Sequence, residues 1–193
     1  MNKGERTKNY IIEQSSSLFN KNGYKSTSIS EIMMATGLKK GGIYNHFENK
    51  DALAKASFSH SINVLKDKYI EAVRSKDTSS EQFDAFIAVF SSLLDNNLVV
   101  GGCPIMNAAI EADDSKVDFE DSIKEGFTGL IKLIKGIIQY GKNQNEINKE
   151  VDTEQMAVII LSSIEGALAL SRLFQDKIYL ELVIKQIKSI LFE

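Results

Sequence analysis

The sequence predicts an all-α protein of about nine helices, because apolar residues recur at three- and four-residue steps through most of the chain. Two further observations agree. The 193 residues include a single proline and no tryptophan, so little interrupts long helices; proline inside a helix removes a backbone hydrogen bond and clashes with the preceding turn. Short polar runs, such as SKDTSS at 75–80, separate the periodic segments as turns do.

The first helix is expected over residues 3–21. Ile11, Ile12, Leu18 and Phe19 form its apolar stripe, and Lys3, Arg6 and Lys8 lie on exposed turns, where Arg6 and Lys8 are candidates for phosphate contact. Gly23 stops it, and Tyr24 opens a linker. The next helix covers 28–36. Ser28 and Glu31 form an S-x-x-E capping box, Ile29, Ile32 and Met33 supply an apolar face, and Gly37 suits the left-handed position that ends a helix. Residues 39–45 form a short third helix. Gly41 and Gly42 make it poor in isolation, so packing through Leu38, Ile43 and Phe47 must hold it. Helix, glycine turn and short helix together are a helix-turn-helix, whose second helix can enter the DNA major groove. Lys39, Lys40, Gly42, Tyr44 and Asn45 are the candidates facing DNA. Lysine donates to guanine O6 and N7, and asparagine pairs with adenine. Thr27 and Ser28 could add hydroxyl contacts to a phosphate held at the N-terminus of the 28–36 helix.

The stretch from Gly23 to Leu53, GYKSTSISEIMMATGLKKGGIYNHFENKDAL, resembles the DNA-binding signature of the TetR family of one-component bacterial repressors. Gly23, Thr27, Ile32, Gly37, Gly41, Tyr44, His46, Phe47, Lys50 and Leu53 stand where that signature expects them. Thr36 and Lys39 depart from it, standing where an alanine and a capping Ser or Thr are usual. The resemblance implies that Tyr44, His46 and Lys50 contact the DNA backbone. It also implies a helix-turn-helix domain over 1–49 and a ligand-binding and dimerisation domain over 50–193.

Beyond residue 49 the elements follow in order. Residues 50–74 form a long helix with Phe58, Ile62, Leu65, Tyr69 and Val73 at helical steps; turning it should move the reading helix, since Leu53 and Phe58 can pack near Phe47. Residues 81–95 carry Phe83, Phe86, Ile87, Phe90, Leu93 and Leu94. In 101–114, GGCPIMNAAIEADD, Pro104 suits the first position of a helix. This start resembles a TetR-type subgroup that includes repressors of drug-resistance and flavonoid-responsive genes. Cys103 is expected to be a small buried hydrophobe rather than a reactive thiol. Residues 116–142 form another helix, containing Val117 and four glycines, Gly126, Gly129, Gly136 and Gly141. Those glycines permit close helix approach, line a cavity or reflect loose packing. After a polar connector, Asp152 with Gln155 caps a helix over 153–173, and Asp176 opens the last, over 177–192. Both are apolar over more than one stripe, which calls for burial on more than one side.

The resemblance assigns the ligand cavity to helices four to seven, with Phe58, Ile62, Leu65, Phe86, Phe90, Cys103, Met106, Phe127, Ile131 and Ile164 as candidates. It assigns dimerisation to the last two helices, through Ile160, Ile164, Leu168, Val183, Ile187 and Ile190.

Charge is unevenly spread. Residues 1–60 carry nine Lys/Arg against five Asp/Glu, whereas 61–193 carry fourteen against twenty-one. A basic front on an acidic body suits a polyanion bound at one end. One cysteine rules out an intrachain disulfide framework. The N-terminus lacks a signal-peptide apolar core, and no apolar run reads as long enough to span a membrane. A cytoplasmic protein is expected. No phosphate loop, dinucleotide fingerprint or nucleophile elbow occurs, and two histidines with one cysteine cannot build a zinc finger. No catalytic residue, metal or cofactor is expected. The function that the TetR resemblance implies is a ligand-responsive repressor. It would bind a palindromic double-stranded operator as a homodimer and leave it when a small apolar or aromatic effector binds. The alternatives are a helical homodimeric activator, a protein-interaction module and, last, an all-helical enzyme.

Overall fold

Capping side chains set several of the helix starts. The structure, a computed structural model, describes residues 2–114 and 119–192. Among the described residues are nine α-helices: α1 Lys3–Asn22, α2 Ile29–Thr36, α3 Lys40–Tyr44, α4 Lys50–Arg74, α5 Ser79–Ser91, α6 Pro104–Asp114, α7 Glu120–Gln144, α8 Thr153–Phe174 and α9 Ile178–Phe192. The chain is all-α, as its periodicity predicts.

Three starts carry a full capping box, in which the cap side chain takes an orphan amide and the third residue reaches back. These are Asn2 with Glu5, Ser28 with Glu31, and Thr78 with Glu81. The Thr78 box begins α5 two residues before the expected Glu81. Its end also falls short of 95, because turns follow Ser91 and Asn96 takes a positive φ of 55°. Asp152 caps α8 by accepting from the Gln155 amide at 2.9 Å. The expected start of the seventh helix at 116, with Val117, lies outside the described residues.

The described residues group into two compact units. The first comprises Met1–Val64 and Leu98–Lys124. It therefore holds α1 to α3, the front of α4, α6 and the start of α7, and forms the head of the chain. Its core contains Ile11, Phe19, Ile32, Ile43, Leu53 and Phe58, all essentially inaccessible. Tyr24 stacks on Phe19 at 5.6 Å between ring centroids and meets Phe58 and Phe119 edge-on at 6.1 and 5.1 Å. Burial, then Glu111 and Cys103 nearby, push the Tyr24 phenol far up, so it stays neutral.

The second unit comprises Leu65–Asn97 and Glu125–Glu193. Phe86 stacks with Tyr69 and Phe90 in its core, α8 packs along α9, and α5 also meets α9. The Lys188 ammonium ties α9 to Asp84 of α5 at 2.8 Å. The Arg172 guanidinium donates to the Leu93 carbonyl at 3.1 Å. Of the α7 glycines, Gly141 is there for close approach: a Cβ would lie 2.5 Å from the Ser79 hydroxyl. Gly129 and Gly136 face open space.

One expectation is corrected. Helix α8 is long and apolar enough, by length and composition, to cross a membrane. Interspersed Ser162, Ser163, Glu165 and Gly166 hide this from a search for unbroken apolar runs. In the fold one face of α8 is core: it buries Ile160, Leu161, Ile164 and Leu168 and carries Glu165 and Ser171 inward with them.

Candidate nucleic-acid interface

The α2–turn–α3 unit is built by local chemistry. The Glu31 amide donates to the Ser28 hydroxyl at 3.2 Å, and the Ser28 amide donates to the Glu31 carboxylate at 2.7 Å. These Ser28 contacts, backbone first, hold the Glu31 carboxyl below its usual range. Gly37 then turns the chain at φ 68°, ψ 9°, in the left-handed region. Thr36, where the family favours alanine, satisfies its own buried hydroxyl: it donates to the Ile32 carbonyl at 2.7 Å and accepts from the Leu38 amide at 3.3 Å. The departure thus fastens the turn to the helix before it.

Helix α3 has five residues, and its N-cap Lys39 makes no side-chain capping bond. Packing holds it, as its glycines require: Ile43 is inaccessible and Phe47 is buried. Lys39, Lys40 and Asn45 are exposed, and Gly42, Tyr44 and His46 are half-buried. The Lys40 ammonium sits 5.8 Å above the Tyr44 ring, and Lys8 of α1 sits 5.5 Å above the Phe47 ring. A basic, partly aromatic surface with one exposed amide is the result.

Three residues expected at phosphate are engaged within the protein instead. Thr27 is fully buried, and its hydroxyl donates to the Gly23 carbonyl at 2.7 Å. Ser28 is exposed, but its hydroxyl accepts from one Glu31 group and donates to another. Lys50 directs its ammonium onto the carbonyls of Tyr24, Lys25 and Thr27, at 3.1, 2.7 and 3.1 Å. An ammonium has three protons, so none remains for DNA. The family resemblance marks Lys50; only the fold shows which oxygens it meets.

The ligand candidates divide between the units. Phe58, Ile62, Cys103 and Met106 belong to the first, with Phe58 and Cys103 buried. Leu65, Phe86, Phe90, Phe127, Ile131 and Ile164 belong to the second, where Leu65, Phe86, Phe90 and Ile164 are buried. The second unit also holds a cavity of about 780 Å³ between the end of α5, the end of α8 and the start of α9, lined by Asp95, Arg172, Asp176 and Glu181 among others. None of the ten ligand candidates lines it.

Four of the dimer candidates, Ile160, Ile164, Leu168 and Ile187, are buried in the single chain, Val183 is half-buried, and Ile190 is 50% exposed. Most of the exposed large apolar residues of these helices lie on another stripe: Ile159, Leu170, Leu173 and Phe174 on α8, and Ile178 and Leu182 on α9. Both stripes have helical spacing, so periodicity marks two faces without saying which one α9 covers. Among the described residues no group of three or more His, Cys, Asp and Glu side chains could hold a metal.

Comparison with known proteins places this geometry. Residues 11–57 match the family described as bacterial regulatory proteins, tetR family, and residues 80–187 match the tetracyclin repressor-like C-terminal domain. The chain is similar to the crystal structure of a TetR transcriptional regulator from Chloroflexus aurantiacus, with TM-score 0.91 and 35% identity, covering 98% of this chain and 96% of that one. It is also similar to a TetR-family regulator from Cytophaga hutchinsonii, with TM-score 0.88 and 30% identity over 98% and 95%. In sequence it is 25% identical to the fatty acid metabolism regulator protein of Bacillus subtilis, over 80% of this chain and 78% of that protein. A helix-turn-helix with a basic outer surface, set at the head of an all-helical chain and matched nearly end to end by these regulators, makes this chain a member of the TetR family of transcriptional regulators.

Proposed function

We propose that the chain is a homodimeric repressor that reads a palindromic operator with α3 and is released by a small apolar or aromatic effector. The observation that carries the DNA reading is the exposure of Lys39, Lys40 and Asn45 on a helix held from behind by Ile43 and Phe47. Lys39, Lys40, Tyr44 and His46 would meet phosphate and groove wall. Asn45 would pair with a base edge, and Gly42 would let backbone approach closely. Thr27, Ser28 and Lys50 support these residues instead of touching DNA.

Pairing of two chains rests on the uncovered apolar stripe of α8 and α9, where Leu173 is 75% and Leu182 58% exposed. Two reading helices about 34 Å apart would then fit successive major grooves. Relatives named as repressors, DhaR of a Mycobacterium species and ComR and NemR of Escherichia coli, favour repression over activation. An apolar or aromatic effector would have to open space beside Tyr69, Phe86 and Phe90, which are buried against one another in the second unit. Release follows if the effector and DNA prefer different conformations.

Sedimentation of the purified protein with a duplex it has selected tests this. Two chains per duplex, with two protected half-sites one helical turn apart, are expected. One chain per duplex would contradict the paired reading.

A further inference from the structure

The linker between α1 and α2 has no secondary structure of its own to satisfy its backbone, so the fate of each polar group is informative. Its carbonyls at Tyr24, Lys25 and Thr27 go to Lys50. Its amides at Tyr24 and Lys25 go to one carboxylate, that of Glu111 on α6, at 2.7 and 2.5 Å. The Thr27 amide closes back on the Gly23 carbonyl at 3.1 Å. A cation on one side and an anion on the other thus hold the segment that delivers the chain to the α2 cap.

Glu111 does not act alone. Asn107, one turn earlier on the same face of α6, donates to the Asn20 carbonyl and side-chain oxygen at 3.2 and 3.0 Å, at the end of α1. The Asn20 amide in turn donates to the carbonyls of Val100 and Gly102, at 2.8 and 3.0 Å, just before α6. Gly23 completes the fit. Its φ is +94°, and a Cβ there would lie 3.3 Å from the Glu111 carboxylate.

We propose that Glu111 is a positioning residue for DNA recognition: through the Tyr24 and Lys25 amides, α6 fixes the linker and with it the placement of α2 and α3. The inference rests on the DNA-binding reading above. The clamp is made within one compact unit, so it is intrinsic to the head.

The test compares wild type with Glu111→Gln, which keeps the size and one acceptor oxygen, and Glu111→Ala, which keeps neither. Three quantities are read: affinity for a duplex that wild type selects, the salt dependence of that affinity, and amide exchange at Tyr24 and Lys25 in DNA-free protein. Removing a carboxylate from a DNA-binding head tightens binding if charge alone matters. Positioning predicts the opposite sign. Affinity should fall about tenfold for Glu111→Ala, as expected for losing charge-assisted hydrogen bonds, and less for Glu111→Gln. The salt slope should stay unchanged, and both amides should exchange faster. Tighter or unchanged binding, a changed slope, unchanged exchange, or loss of the fold in both variants would overturn the proposal. If wild type itself selects no duplex, the DNA reading fails and the positioning role fails with it, while the exchange data still report whether the clamp exists.

Discussion

The ammonium of Lys50 lies 2.7 Å from the carbonyl oxygen of Lys25. With the Tyr24 and Thr27 carbonyls as further acceptors, the first residue of α4 closes the loop that introduces α2. The charge looks like a phosphate contact in sequence and acts as a bracket in the fold.

Lys50→Ala should therefore weaken binding to every duplex, specific or not, by about tenfold, because three linker carbonyls lose a charged donor. The slope of log affinity against log salt should stay the same. A phosphate contact would instead lower that slope by about 0.9. Titrating salt against affinity for wild type and variant separates the two, and a reduced slope would return Lys50 to the DNA surface.

Lys39 and Lys40 are exposed on the reading helix and should behave in the reverse way. Each Lys→Ala change is expected to lower the salt slope by about 0.9 while leaving base preference nearly intact. Asn45→Ala should change preference at one base pair per half-site, by about 1–3 kcal/mol. Binding to a panel of single-base operator variants checks this; equal loss on all of them would remove Asn45 from base reading.

Much of the head was legible in sequence because its determinants are local. The capping box of Ser28 and Glu31, Gly37 at the turn, and Ile43 and Phe47 behind α3 all lie within a few residues of what they fix, and the structure places each as read. What was not legible depends on distant partners. Glu111 meets Tyr24 across 87 positions of sequence, and nothing near either residue announces it. The body shows a different kind of blindness. Helix α8 carries apolar residues on two stripes, and helical spacing describes both equally well; only packing against α9 shows that Ile164 is interior and Leu173 is not.

That distinction predicts two different phenotypes. Leu173→Glu combined with Leu182→Glu should leave the helical content intact and shift the protein to monomer, since both residues are exposed in the single chain. Ile164→Ala should instead cost the fold about 2–5 kcal/mol by opening a cavity in the core. Sedimentation and thermal melting of both variants decide the matter. A dimer that survives the double glutamate substitution would move the interface off this stripe.

Acid should loosen α2. The Glu31 carboxyl is held below its usual range by Ser28, so its folded value lies under its unfolded one. Its stabilisation is complete above the ordinary carboxylate range and is lost as pH falls through the lowered folded value. Protection of the Glu31 and Ile32 amides, taken relative to the intrinsic exchange rate at each pH, should fall over that window. Ser28→Ala should cost about 1 kcal/mol through the missing cap and keep part of the acid dependence, because the backbone amide at position 28 still reaches the carboxylate; Glu31→Gln should abolish it. An unchanged pH profile in Glu31→Gln would show that the capping box does not govern this helix.

The central claim is that a paired chain reads duplex DNA through α3. Selection of bound fragments from a pool of randomised duplexes, by purified protein at moderate salt, tests it most directly. Enrichment of an imperfect palindrome with half-site centres about one helical turn apart is the predicted result. A selected pool indistinguishable from the starting one would contradict it.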